Sequence, residues 1–143
     1  MPYQVSWLIE NQIIYSRFWG ASDAEQLRSA LTEITAMRHA SDRDYTHTIT
    51  DSTGVTVVLP FQDSIKVIRE FEATKDDGWE IVVGTMNPVM KMSITISRSL
   101  LRMRAINFRT MSEALAHLKD NDATLYWHKL DRSLLGDDVK IPD

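Results

Sequence analysis

At 143 residues, 43% of them apolar and 25% charged, the chain has the length of one ordinary domain and enough apolar mass for a core, which excludes intrinsic disorder. Its net charge of −4 argues against a dedicated nucleic-acid binder, whose domain is usually strongly basic. There is no cysteine, so disulfides, thiolate metal sites and cysteine nucleophiles are excluded.

The opening Met1-Pro2-Tyr3-Gln4 lacks a basic region with an apolar run behind it, so no signal peptide is expected. No apolar stretch approaches the ~18 residues of a membrane span. A soluble cytoplasmic protein is the expectation. Val5, Trp7 and Ile9 alternate with polar Gln4 and Ser6, the period-two pattern of a half-buried strand. After the polar break Glu10-Asn11-Gln12, Ile13 to Trp19 is rich in β-branched and aromatic residues and stops at Gly20. Two such runs across a tight break predict a hairpin.

Ser22-Asp23-Ala24-Glu25 reads as a capping box with Ser22 as the cap. Ala24, Leu27, Leu31 and Ile34 share one helical stripe with Ala30 and Met37, which predicts a helix to about His39. A strand over Tyr45–Thr50 follows, and the polar string Asp51-Ser52-Thr53-Gly54 reads as the turn at its end. A second helix is predicted over about Phe61–Thr74, and the apolar run Trp79–Gly84 as a central strand. Asn87-Pro88 is a helix start, since asparagine caps and proline suits the first helical position. A long helix is expected from Pro88 to about Arg104, then a short strand over Ile106–Phe108. Thr110-Met111-Ser112-Glu113 is a second capping box, opening a helix with Met111, Ala114, Leu115 and Leu118 inward. From Ala123 the pattern fades, and residues 123–143 read as a peripheral tail behind one domain over 1–122.

The predicted order is β-β-α-β-α-β-α-β-α. It implies an α/β fold: a single-layer mixed sheet that opens with an antiparallel hairpin and continues as alternating parallel strands and helices. Over roughly Tyr3 to Lys119 the chain resembles the STAS, or SpoIIAA-like, family of anti-sigma-factor antagonists. The residues that carry the likeness are Trp7, the strand end Ile49-Thr50-Asp51, and Gly84-Thr85-Met86-Asn87-Pro88, strings shared with bacterial members of that group. The resemblance implies that compact α/β fold and a regulatory role through protein contact. One departure stands out. The family's phosphorylatable serine sits in an Asp-Ser-x-Gly loop that opens the second helix, whereas Asp51-Ser52-Thr53-Gly54 lies at an earlier strand end. The family position falls near Leu59-Pro60-Phe61, which has no hydroxyl, and Asp63-Ser64 lacks the glycine.

Two regions are candidates for binding. Asp51, Ser52 and Thr53 stand where open α/β sheets place ligands, beyond the carboxyl ends of strands. The competing reading is that Asp51 and Ser52 hydrogen-bond their own turn. The second region is the helix after Asn87, with Lys91, Arg98 and Arg102. Met90, Ile94 and Leu101 form one face of it, and Met92, Ile96, Leu100 and Met103 another. Between Thr85 and Met111 there are five cations and no acid, so this segment carries +5 and the rest of the chain −9. Such a helix suits a protein partner, a second copy in a homodimer, or an acidic lipid surface. The competing reading is a helix packed on the sheet with solvated arginines.

No catalytic constellation can be assembled, no metal-ligand spacing links His39, His47, His117 and His128, and no phosphate loop or dinucleotide fingerprint is present. No cofactor is expected. The expected function is a non-catalytic binding or regulatory module. The alternative is a small-ligand or lipid carrier with an apolar pocket, since CRAL-TRIO lipid-transfer proteins have a related layout. An enzyme would need turnover that depends on Asp51 or Ser52.

Overall fold

The two alternating runs form strands β1 (Tyr3–Ile9) and β2 (Ile13–Ala21), which pair antiparallel. Asn11 makes the turn between them at φ 65°, a left-handed conformation that asparagine tolerates, and the Gln12 amide donates to the Ile9 carbonyl at 2.9 Å. In this computed structural model residues 3–71, 77–85, 88–99 and 104–143 are described. After the hairpin come α1 (Ala24–Ala40), β3 (Thr46–Val57), α2 (Phe61–Arg69), β4 (Asp77–Val83), α3 (Pro88–Ser99), β5 (Arg104–Phe108) and α4 (Met111–Asn121). The five strands lie in the order β1-β2-β3-β4-β5, and β2 to β5 are all parallel. This is the mixed α/β sheet that the element order implies.

Register defines the two faces. Tyr15, Ile49, Ile81 and Ile106 are partners in one row across β2, β3, β4 and β5. That row lies in the main core with Met111, Ala114, Leu115 and Leu118 of α4. The next row, Ile14, Thr48, Glu80 and Ala105, points the other way. There the Arg38 guanidinium of α1 reaches Thr48 and Glu80, and α1 packs on α2 and α2 on α3. Three crossover helices therefore cover one face, and α4 covers the other. Under α1, Ser16 and Thr50 share a 2.8 Å hydrogen bond, so these two buried hydroxyls satisfy each other.

Several boundaries differ from the sequence reading. The Asp51-Ser52-Thr53-Gly54 string is not a turn: it lies inside β3, which stays paired with β2 as far as Val57. The register steps from Arg17 opposite Asp51 to Trp19 opposite Gly54, so β3 carries an extra residue there, a bulge, and another between Val55 and Val57, opposite Gly20 and Ala21. Glycine is needed at the first of these because a Cβ at Gly54 would stand 2.9 Å from the Trp19 Cβ. The cap of α1 is Asp23 rather than Ser22: Asp23 accepts from the Gln26 amide, while the Ser22 amide donates to Val57 and ends the ribbon. Helix α2 stops at Arg69, short of Thr74, and β5 starts at Arg104. Thr110 caps α4 as expected, accepting from the Glu113 amide at 3.2 Å, while the Glu113 carboxylate accepts from the Thr110 hydroxyl at 3.0 Å.

Residues 123–143, expected to be peripheral, pack on the core. Leu125 is buried in it, and Trp127, Leu130, Leu134, Leu135, Val139 and Ile141 lie against it. The segment is irregular, with two single-turn 3-10 helices at Trp127–Lys129 and Arg132–Leu134, which is why it has no period to read. Among the described residues no helix is long and apolar enough to cross a membrane.

Candidate functional site

Two places concentrate polar chemistry, at opposite ends of the strands. The first is where β2 and β3 overrun the sheet. The described pairing of β1 with β2 reaches Phe18, and that of β3 with β4 ends at Asp51 opposite Val83. Beyond these, β2 and β3 continue alone as a two-stranded parallel ribbon. On it Trp19 is 37% and Val57 58% exposed. The Arg17 guanidinium carbon lies 5.5 Å from the centre of the Trp19 ring, a cation–π pair.

Asp51 sits at the root of this ribbon. One carboxylate oxygen accepts from the Thr53 amide at 2.9 Å and the Thr53 hydroxyl at 2.6 Å, and the other accepts from the Tyr15 hydroxyl at 3.4 Å. The Ser52 hydroxyl donates to the Val83 carbonyl at 2.9 Å and stitches the bulge to β4. Burial, then the nearby Asp51 charge, pushes the Tyr15 hydroxyl up to about 12. Asp51, Ser52 and Thr53 are thus brought together, but their side chains are engaged in holding the bulge: Asp51 bonds its own local backbone, as the competing reading has it, whereas Ser52 bonds the neighbouring strand. Thr53 is exposed, and Asp51 and Ser52 are half-buried.

Of the second set, Lys91 and Arg98 are exposed on α3. Asn87 and Arg102 lie outside the described residues. α3 packs against α2 and β5.

The second place is a buried knot that sequence reasoning missed. His47 on β3 and Asp122 at the end of α4 are 75 positions apart and meet at 2.8 Å. Their side chains are 2% and 3% exposed. The Asp122 carboxylate also accepts from the Tyr45 hydroxyl at 3.0 Å and from the Thr124 amide at 2.9 Å and hydroxyl, with Arg43 at 3.5 Å. Burial alone raises Asp122, but the donors from Thr124, His47 and Tyr45 outweigh it and hold the carboxyl well below its ordinary value. His47 Nδ1 accepts from the Trp79 amide at 3.0 Å. Its proton therefore sits on Nε2 and is donated to Asp122. Burial pushes His47 below its usual value, against the pull of Asp122.

Both ring nitrogens of His47 are committed, so the ring offers no free lone pair to a substrate. The knot ties the start of β3 to the end of α4. Gln12 completes the tie: its amide nitrogen donates to the Thr124 carbonyl at 3.2 Å, and its amide oxygen accepts from the Tyr126 amide at 2.7 Å. Gly78, a helix breaker in the sequence, is also where a Cβ would stand 2.5 Å from His47 Nδ1. Nothing in the sequence points from His47 to Asp122.

Among the described residues no group of three or more histidines and acids is placed to hold a metal ion. No protein-family model and no curated protein matches the chain.

Proposed function

We propose that the chain is a non-catalytic binding or regulatory module of STAS-like fold, working in the cytoplasm through protein–protein contact at the ribbon end of β2 and β3. The observation that carries this reading is the pair Trp19 and Arg17, held in water beside Val57 on a ribbon that overruns the sheet. Tryptophan and arginine are the side chains that most often dominate the energy of protein interfaces. The ribbon is also at the carboxyl ends of parallel strands, where α/β sheets bind their ligands. The element order supports the STAS-like part of the reading, as do Trp7, Ile49-Thr50-Asp51 and the Gly84 to Pro88 string.

The test is a pull-down and native mass spectrum of the full chain beside Trp19→Ala/Arg17→Ala. The wild-type chain is expected to retain a protein partner or a second copy, and the double variant to lose it at unchanged melting temperature. A wild-type chain that holds neither refutes the proposal.

A further inference from the structure

On the side of the molecule opposite the hairpin, both layers end among the described residues. β5 is the last strand of the sheet, and α3 is the last of the three helices that pack in a row, α1 on α2 and α2 on α3. Among the described residues the outer edge of β5 has no partner strand, and α3 packs on β5, so that edge and the helix adjoin.

The two sheet edges are built differently. β1 carries a register irregularity between Trp7 and Ile9, a device that keeps an edge from pairing further. β5 pairs with β4 in unbroken register from Trp79–Arg104 to Val83–Phe108. Between Arg104 and Arg109 its residues are Ala105, Ile106, Asn107 and Phe108, all uncharged and none proline. An edge guarded by charge would carry it in mid-strand. Here the charge frames the strand, with exposed Arg104 at its start and exposed Arg109 just past its end.

α3, which packs on β5, adds exposed cations of its own. Among the side chains described on it, Lys91, Met92, Thr95, Arg98 and Ser99 are exposed, and they follow helical spacing on one side. Met92 is 54% exposed between the two cations. Among the described residues no acid is within ion-pair reach of Lys91, Arg98, Arg104 or Arg109. The segment has no acid of its own from Thr85 to Met111.

We propose that the β5 edge and the α3 flank are a docking site for an extended acidic segment of a partner protein, which adds to the sheet as a sixth strand. Backbone pairing to a five-residue edge supplies the affinity, and the four exposed cations select carboxylates over other chains. Met92 offers a soft apolar contact for one side chain of the incoming strand. The proposal extends the binding reading to a second surface and needs neither Trp19 nor the ribbon.

The test uses the full chain and an alternating Glu–Val peptide, with a Lys–Val peptide as control, titrated through the millimolar range by NMR. The Glu–Val peptide is expected to slow amide exchange across residues 104–108 and to bind about tenfold more weakly at high salt, as screened charges require. Lys91→Glu/Arg98→Glu is expected to lose about tenfold in affinity with the fold intact, and Trp19→Ala to bind as wild type. Equal binding of the Lys–Val peptide, or no protection at 104–108, overturns the proposal. So does an edge occupied by a second copy, read as self-association that the double charge reversal dissolves. Binding to phosphatidylserine vesicles without peptide binding also overturns it.

Discussion

His47 decides how the protein meets acid. In the folded chain Nδ1 accepts from the Trp79 amide and Nε2–H donates to Asp122, so a second proton has to displace a backbone donor. The folded state therefore binds that proton less readily than the unfolded chain, and His47 is held below its ordinary value. Stability from this residue is complete above about pH 6.5, the unfolded value, and is lost as pH falls below it. Asp122 is also held low, so its contribution is complete above about pH 4 and lost as pH falls further. Two windows of acid loss are expected in urea midpoints measured from pH 8 to pH 3. Burial holds His117 below its ordinary value too, so His117 shares the upper window. His47→Gln is expected to shrink that window and leave the lower one; an unchanged upper window removes His47 from it. Gly78→Ala acts on the same ring from the other side. Its Cβ would stand 2.5 Å from Nδ1 and 2.9 Å from the Thr46 carbonyl oxygen, which is backbone. A loss of about 1–3 kcal/mol is expected by chemical denaturation, the usual cost of overpacking. None of this was legible as a site, because a hydrogen bond across 75 positions leaves no periodic trace. The sequence offered only a histidine in mid-strand and an aspartate after a helix.

Among the elements, α4 and the segment behind it show what a pattern can and cannot reveal. The stripe Met111, Ala114, Leu115 and Leu118 is buried as its spacing predicts, because one helix face has one destination. The 123–143 segment has no such period, yet its apolar side chains lie on the same core as α4. Irregular backbone is tolerated there because its polar groups find partners elsewhere: the Asp131 amide donates to the Leu8 carbonyl at 2.8 Å, and the Tyr126 amide to Gln12. Leu8, Ile9 and Ile13 are fully buried in that core. Deleting residues 125–143 would strip contacts worth about 1.5–3 kcal/mol for each well-buried side chain. Against a total stability of about 5–15 kcal/mol, the shortened chain is expected to lose its sharp thermal transition by circular dichroism. A cooperative transition near that of the full chain would restore the peripheral reading. The first bulge in β3 is the opposite lesson. Asp51, Ser52, Thr53 and Gly54 have every turn preference, and the pairing of both neighbours overrides them: Ser52 bonds to β4 while Gly54 admits Trp19.

For the whole molecule the element order was the readable part, because strands of period two and helices of period 3.6 alternate and each parallel strand lies beside its predecessor. What the order leaves open is whether the two layers stand or fall together. α1, α2 and α3 cover the row containing Thr48 and Glu80, while α4 and the irregular segment cover the row containing Ile49 and Ile81. Adjacent rows belong to the same strands, so losing either layer exposes a sheet that the other layer needs. Trp7 pairs with Ile14 on the α1 face, and Trp127 lies against the α4 core, so the two indoles report from opposite faces. In chains that keep only one of the two, with the other tryptophans changed to phenylalanine, the urea curves are expected to coincide with each other and with far-UV circular dichroism. The slope is expected within the range of small two-state domains, about 1–3 kcal/mol per molar urea. If the Trp127 signal falls at lower urea than the Trp7 signal, the α4 layer is a separate unit laid on a sheet that stands without it.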